Sequence, residues 1–198
     1  MQAAVKWMVI AICGFVGACA QEATGPWQLD NAQSQISFVS TKAVDVSEVH
    51  RFSQLSGSVN EAGEARVAIE LASVDTLIPI RDERMRELLF ETQTFPRASL
   101  AANVDIAKYL AMPAPSSSVA SQQIMLNMRG VTAAFNVDVL VTKLAADRFV
   151  VASLRPVIVN AATFNLGDGL EALREIAGLP SIGGSVPVSF VLTFTRSP

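Results

Sequence analysis

The strongest constraint on this chain is an alternation that recurs from Trp27 onward: apolar side chains at every second position, in runs too short for helices and separated by turn residues. The last run, GSVPVSFVLTFTR at 184–196, sets Val186, Val188, Phe190, Leu192 and Phe194 against Pro187, Ser189, Val191, Thr193 and Thr195. VTAAFNVDVLVTK at 131–143 holds Phe135, Val137, Val139 and Val141 in one register, and ARVAIELA at 65–72 does the same with Val67, Ile69 and Leu71. A period of two sends alternate residues to opposite faces of a strand, so each run buries one face and wets the other. SQISFVST at 34–41 adds Ile36 and Phe38, and EVHRFSQLSGSV at 48–59 adds Phe52 and Leu55 before the turn signal NEAG at 60–63. RASLAANVD and SQQIMLNMRG read as further strands around a Pro/Ser-rich loop, MPAPSSS at 112–118, expected to be mobile. RFVVASLRPVIV at 148–159 follows the turn LAAD and makes a second hairpin with 131–143.

Two segments depart from this rhythm. In RDERMRELLF at 81–90, Met85, Leu88 and Leu89 fall at helical spacing, and in DGLEALREIAGL at 168–179 so do Leu170, Leu173, Ile176 and Ala177. Short helices among roughly eight strands suit a closed sheet with helical caps, and closure removes the exposed edges that a β protein must otherwise protect. The expected fold class is therefore all-β: an antiparallel eight-stranded barrel with one or two short capping helices.

Residues 1–20 are read apart from that domain, which then spans 21–198. Lys6 precedes the apolar run WMVIAICGFV at 7–16, and small residues follow, the pattern of an export signal. The run is too short to span a bilayer as a helix, which needs about 20 residues. Two cleavage readings are open. Ala18-Cys19-Ala20 is an A-x-A site that releases a soluble protein, whereas Val16-Gly17-Ala18-Cys19 resembles a bacterial lipobox that makes Cys19 the lipidated first residue. Both put the mature protein outside the cytoplasm, in the periplasm or outer envelope of a bacterium. The only cysteines are Cys13 and Cys19, so no disulfide is expected in the domain.

Removing the signal takes Lys and Arg from 15 to 14 against 18 acids and moves the net charge from −3 to −4. No basic run interleaved with aromatics occurs, so nucleic acid is not an expected partner. The catalytic inventory is thin. His50 is the single histidine, and its charged neighbours Glu48 and Arg51 give it the reading of a strand-surface side chain. A Ser-His-Asp site would have to use it, and one histidine without cysteines cannot supply a transition-metal ligand set. Asp168 in NLGDG reads as part of a turn that opens a helix. No catalytic residue, metal or cofactor is assigned.

The charged cluster Asp75, Arg81, Asp82, Glu83, Arg84 and Arg86 reads in two ways. Asp82 or Thr76 near a helix start would cap free N–H groups while the arginines pair with acids across the turn. Alternatively, Arg81 or Arg84 meets the polar end of a ligand at the barrel mouth. The apolar stripes are equally two-sided: an eight-stranded barrel either fills its interior with side chains or encloses one small ligand.

The block SVDTLIPIRDERMRELLFETQTFPRASL at 73–100, with WQLDNAQSQISF at 27–38 and VPVSFVLTF at 186–194, resembles the YceI-like family. The resemblance spans nearly all of the expected domain, with motif positions Asp75, Thr76, Arg81, Asp82, Phe90, Phe95 and Pro96. It implies a lipocalin-like barrel with a helix over one end and a polyisoprenoid, isoprenoid quinone or fatty-acid-like chain inside. The implied ligand-binding wall is Ile36, Phe38, Phe52, Ile69, Leu71, Met85, Leu89, Phe90, Phe135, Val137, Phe164, Val188, Phe190 and Leu192, with Arg81 and Arg84 as polar contacts at the mouth. Lys42 and Gln33 stand near places where many family members carry histidine. The expected role is non-enzymatic binding or transport of that lipid in the bacterial envelope. Its rival is a structural or stress-response envelope protein with a filled barrel. Membrane association through lipidated Cys19 is expected under the lipobox reading, and a homodimer is left open.

Overall fold

The computed structural model describes residues 25–196; the expected export signal and Cys19 lie outside them. Twelve strands form one antiparallel sheet: β1 (Trp27–Leu29), β2 (Gln35–Lys42), β3 (Val46–Phe52), β4 (Leu55–Val59), β5 (Glu64–Glu70), β6 (Val74–Asp75), β7 (Arg97–Asn103), β8 (Ser116–Met128), β9 (Val131–Ala145), β10 (Arg148–Ser153), β11 (Val157–Asn160) and β12 (Ser185–Thr195). Three pairs are single strands with an interruption. A short 3-10 turn at Asn31–Gln33 separates β1 from β2, yet β12 pairs with both, through Thr195 with Gln28 and through Phe190 with Ile36. β3 pairs with β2 and its continuation β4 with β5, while β10 and β11 both lie along the other edge of β12. Counting each interrupted strand once gives a closed barrel of eight antiparallel strands, with β6 as a short addition beside β3.

The interruption at 154–156 corrects the expectation of one strand over 148–159. Pro156 lacks a ladder donor, the Leu154 N–H donates to the Asp138 carbonyl at 2.9 Å, and Arg155 pairs with the Asp138 carboxylate. The loop expected at 112–118 is also shorter than its composition suggests. Ser116, Ser117 and Ser118 already pair with Lys143, Thr142 and Val141, so β8 and β9 form a long hairpin. Its turn is Arg129-Gly130, both at positive φ (51° and 76°), the geometry of a two-residue loop matched to strand twist.

Three helices close the barrel ends. α1 (Pro79–Arg84) begins two residues before the expected segment, with Pro79 in its first turn, and continues as a π turn over Met85–Leu89. The Phe90 N–H donates to the Met85 carbonyl at 2.9 Å, five residues back. That extra residue in the turn rotates Phe90 onto the buried face beside Met85 and Leu89 and leaves Leu88 half-buried. α3 (Gly167–Ile176) packs on the π turn, and Ile176, expected in its apolar stripe, is exposed while Leu166 is buried. Before it in the chain, α2 (Ile106–Leu110) is a helix the sequence reading does not contain; Asp105 caps it by accepting the Lys108 N–H at 3.1 Å.

The buried side chains inside the barrel come from the alternating register. Ile36, Phe38, Val67, Ile69, Val137, Val139, Val141, Leu192 and Phe194 all face the interior, and Phe164 is fully buried beneath β9. No helix among the described residues is long and apolar enough to cross a membrane.

Candidate functional site

The barrel interior is not filled. A cavity of about 360 Å³ lies under α1, the π turn and α3, with walls that are almost wholly apolar. A second cavity of about 140 Å³ lies toward α2, and Leu100, Ile124 and Phe190 border both. The period of two generates these walls: along β12, Val186, Val188 and Phe190 face the larger cavity, and Leu192 and Phe194 the smaller.

Of the residues named from the sequence, Ile36, Phe38, Phe52, Ile69, Leu71, Met85, Leu89, Phe90, Phe135, Val188 and Phe190 border the larger cavity, as do Arg81 and Arg84. Leu192 borders the smaller one. Val137 and Phe164 are buried but border neither, Phe164 stacking on Phe135 with ring centroids 6.5 Å apart. The wall also contains residues the sequence reading did not name. Ala98, Leu126 and Met128 come from β7 and β8, Leu166, Leu170 and Leu173 from α3 and the turn before it, and Ser40, Lys42, Glu48 and His50 from β2 and β3.

These last four form a polar end. β2 and β3 are antiparallel, with Ile36 opposite Phe52, Phe38 opposite His50 and Ser40 opposite Glu48. Moving along the pair, the same inward face passes from Ile36 and Phe52 to Ser40, Lys42 and Glu48. Glu48 receives Lys42 Nζ at 2.7 Å and Arg81 at 2.8 Å. The hydrogen bond from Lys42, with help from the Arg81 charge, holds its carboxyl below the usual carboxylate range.

His50 is not a surface residue. It is 4% exposed, its ring lies edge-on to Phe38 with centroids 5.3 Å apart, and its Nε2 is 2.8 Å from Ser40 Oγ. Burial, reinforced by the Arg81 charge, lowers its pKa from 6.5, so the ring is neutral near pH 7. Its Nδ1 is buried with no protein partner. A Ser-His-Asp triad needs a carboxylate on that nitrogen to orient the ring, so a serine–histidine contact exists here without the third member.

The charged motif is a hydrogen-bonded corner, but not the cap expected. Asp82 does not cap α1, whose first residues have no side-chain cap. Its Oδ1 instead accepts the Thr76 N–H at 2.9 Å and the Thr76 hydroxyl at 2.5 Å, tying the end of β6 to the helix. Arg81 Nε donates to Thr76 Oγ1 at 2.8 Å, and another of its nitrogens to the Thr76 carbonyl at 2.7 Å, while its ion pair reaches out of the turn to Glu48 on β3. Asp75 accepts the Leu77 N–H at 3.0 Å and pairs with Arg51. Leu77 sits at φ 63°, so the Asp75 bond holds a backbone shape that a leucine disfavours. Arg84 borders the cavity and makes no ion pair among the described residues. Pro96 accepts the Leu71 N–H through its carbonyl at 2.9 Å, and Phe95 lies under the Arg129 guanidinium. Arg129 in turn donates to the carbonyls of Leu89 and Asn165 and pairs with Glu91, joining the π turn, the approach to α3 and the β8–β9 turn.

This architecture has close counterparts. A polyisoprenoid binding domain from Saccharophagus degradans implicated in plant cell wall breakdown superposes with a TM-score of 0.85 at 37% identity, over 86% of this chain and 98% of that one. BcnA from Burkholderia cenocepacia shares the fold at a TM-score of 0.62 and 20% identity, over 83% and 98% of the two chains. The YceI protein of Campylobacter jejuni shares it at 0.52 and 12%, over 75% and 84%. Among curated proteins none matches. The YceI-like domain model covers residues 27–194, from the first strand of the barrel to the last, and the chain that builds this apolar cavity belongs to the YceI-like family.

Proposed function

We propose that this protein binds one long apolar lipid, a polyisoprenoid, isoprenoid quinone or fatty-acid-like chain, inside the barrel and carries it through the bacterial envelope without chemical change. The observation that carries this reading is the unfilled, apolar cavity of about 360 Å³. Its size falls in the range of about 300–1,000 Å³ typical of small-molecule sites, whereas a purely structural barrel would pack this space with side chains. The binding activity of the Saccharophagus relative supports the same ligand class.

Each methylene moved from water into the cavity is worth about 0.8 kcal/mol, but a bilayer offers nearly the same. The barrel therefore gains little over a membrane and serves best where a lipid must cross or wait in water. Lipidation of Cys19 would hold it beside its source; one acyl chain alone binds reversibly.

The test is mass spectrometry of the protein purified from a membrane-containing bacterial host, native and after solvent extraction. A stoichiometric isoprenoid or acyl species is expected. An empty protein that takes up no lipid from vesicles would favour the structural reading. The same spectrum shows whether residue 19 is the acylated first residue or residues 1–20 are absent.

A further inference from the structure

The polar end of the cavity contains a feature that lipid binding in general does not require: a buried histidine with one nitrogen bonded and the other orphaned. His50 Nε2 lies 2.8 Å from Ser40 Oγ, and Nδ1 has neither a protein partner nor contact with solvent. The neutral ring carries a single proton. Placed on Nδ1, it would leave a buried N–H donor unpaired, the rarer and costlier kind of orphan. Placed on Nε2, it is donated to Ser40 Oγ and leaves Nδ1 as a bare acceptor.

The second arrangement fixes the polarity of Ser40. With one lone pair of Oγ occupied by His50 and no other side-chain or backbone partner among the described residues, its own hydrogen is free to be donated. Ser40 borders the cavity, on the same inward face as Phe38 and Ile36. Beside it stands Glu48, its cross-strand neighbour, whose carboxylate already takes Lys42 and Arg81. Cross-strand side chains stand about 5 Å apart, so an anionic head group at Ser40 would meet that carboxylate at close range. Of the cations on the cavity wall, Lys42 is committed to Glu48, and Arg81 to Glu48 and Thr76; Arg84 on α1 makes no ion pair among the described residues, and the phosphate probe below tests whether it draws an anion.

We propose that Ser40, oriented by His50, is the head-group site of the cavity and donates a hydrogen bond to an uncharged carbonyl oxygen, as in a quinone ring, at the end of an isoprenoid tail. The proposal rests on the lipid-binding reading above and narrows it to one chemical class. His50 is a positioning residue, and Ser40 is the one that touches the ligand.

The test measures binding of three tail-matched probes to the full chain: an isoprenoid quinone, a polyprenyl phosphate and the head-less hydrocarbon squalene. Wild-type protein is expected to bind the quinone more tightly than squalene. Ser40→Ala is expected to lose about tenfold for the quinone, equivalent to about 1.4 kcal/mol, with squalene affinity unchanged. Equal losses for both probes, or no loss, overturn the proposal, and so does tighter wild-type binding of the phosphate than of the quinone. Squalene binding reports separately on the cavity itself: if wild-type protein binds squalene but does not discriminate among heads, the head-group site fails while the lipid-binding reading stands. If none of the three binds, both fall. Because His50 is the only histidine, its ring ¹⁵N chemical shifts give an independent readout. A proton on Nε2 is expected, and a proton on Nδ1 would overturn the proposed orientation of Ser40.

Discussion

At Gly169, α3 lies directly against the backbone of the π turn. A Cβ at this position would lie 2.5 Å from the Leu88 carbonyl oxygen and 2.8 Å from the Leu89 Cα, both backbone atoms of the π turn that cannot swing aside. Gly169→Ala gains about 1 kcal/mol of helix propensity but forces α3 off its seat, an overpacking cost of about 1–3 kcal/mol. The net expectation is a loss of up to about 2 kcal/mol, which lowers Tm by up to about 4–8 °C in a chain of this size. Gly167, two residues earlier, is the control: nothing lies within 4 Å of its Cβ position, so Gly167→Ala keeps the propensity gain and raises Tm slightly. Leu166, Leu170 and Leu173 border the cavity, so lifting α3 also speeds lipid release, measured as transfer of a fluorescent isoprenoid from loaded protein to acceptor vesicles. Calorimetry of the two variants decides the matter. If Gly169→Ala raises Tm in parallel with Gly167→Ala, the helix does not bear on the π turn and the reasoning is wrong.

Ala98 is buried yet borders the open cavity. Ala98→Leu adds about three carbons at about 0.8 kcal/mol each, so it should raise Tm without lipid and shorten the longest tail that co-purifies; a lower Tm would mean the space is not free. Phe190 stands between the two cavities, and Phe190→Ala should cost about 3 kcal/mol while admitting longer isoprenoids, checked by mass spectrometry of bound lipids; an unchanged length profile would count against the neck. Acidification should destabilise the fold in two stages. His50 has a folded pKa below 6.5, so the unfolded chain takes up its proton first and stability falls as pH drops through about 6.5 and below. Glu48, also depressed, contributes stability present above its unfolded pKa and lost at lower pH. Urea midpoints between about pH 7 and pH 5.5 should fall for wild type and stay flat for His50→Asn; equal slopes would remove His50 as the cause.

Much of the barrel was legible from alternation, because each strand's inward set depends only on its own period. Ile36, Phe38, Ile69, Leu71, Phe190 and Leu192 follow from that rule and face the interior. The same rule, applied past the last apolar residue, also turns Ser40, Lys42, Glu48 and His50 inward. His50 was misread because its sequence neighbours were weighed in place of its register with Phe52, two residues on. Phe90 was assigned to the site from the resemblance alone, since a single π turn shifts the helical face and no period reveals it. The role of Arg129 depends on Leu89, Glu91 and Asn165, which only tertiary folding brings to it. α2 is five residues long, too short to show a helical period, although Asp105 is a capping residue in the right place.

The polar groups gather at one end of the barrel, while Ile106 and Tyr109 of α2 and an almost wholly apolar wall line the other. That asymmetry gives a bound amphiphile a single polarity, tail inward and head at the mouth. In a leaflet the tail points away from the water, and in the barrel it points away from the opening. If the carrier proposed above docks with its mouth against a membrane, a lipid cannot slide straight across; it must turn end over end about its head, which stays in the polar zone throughout. Exchange on that proposal is a pivot, and its rate should depend on how far the tail must leave one apolar phase before the other receives it.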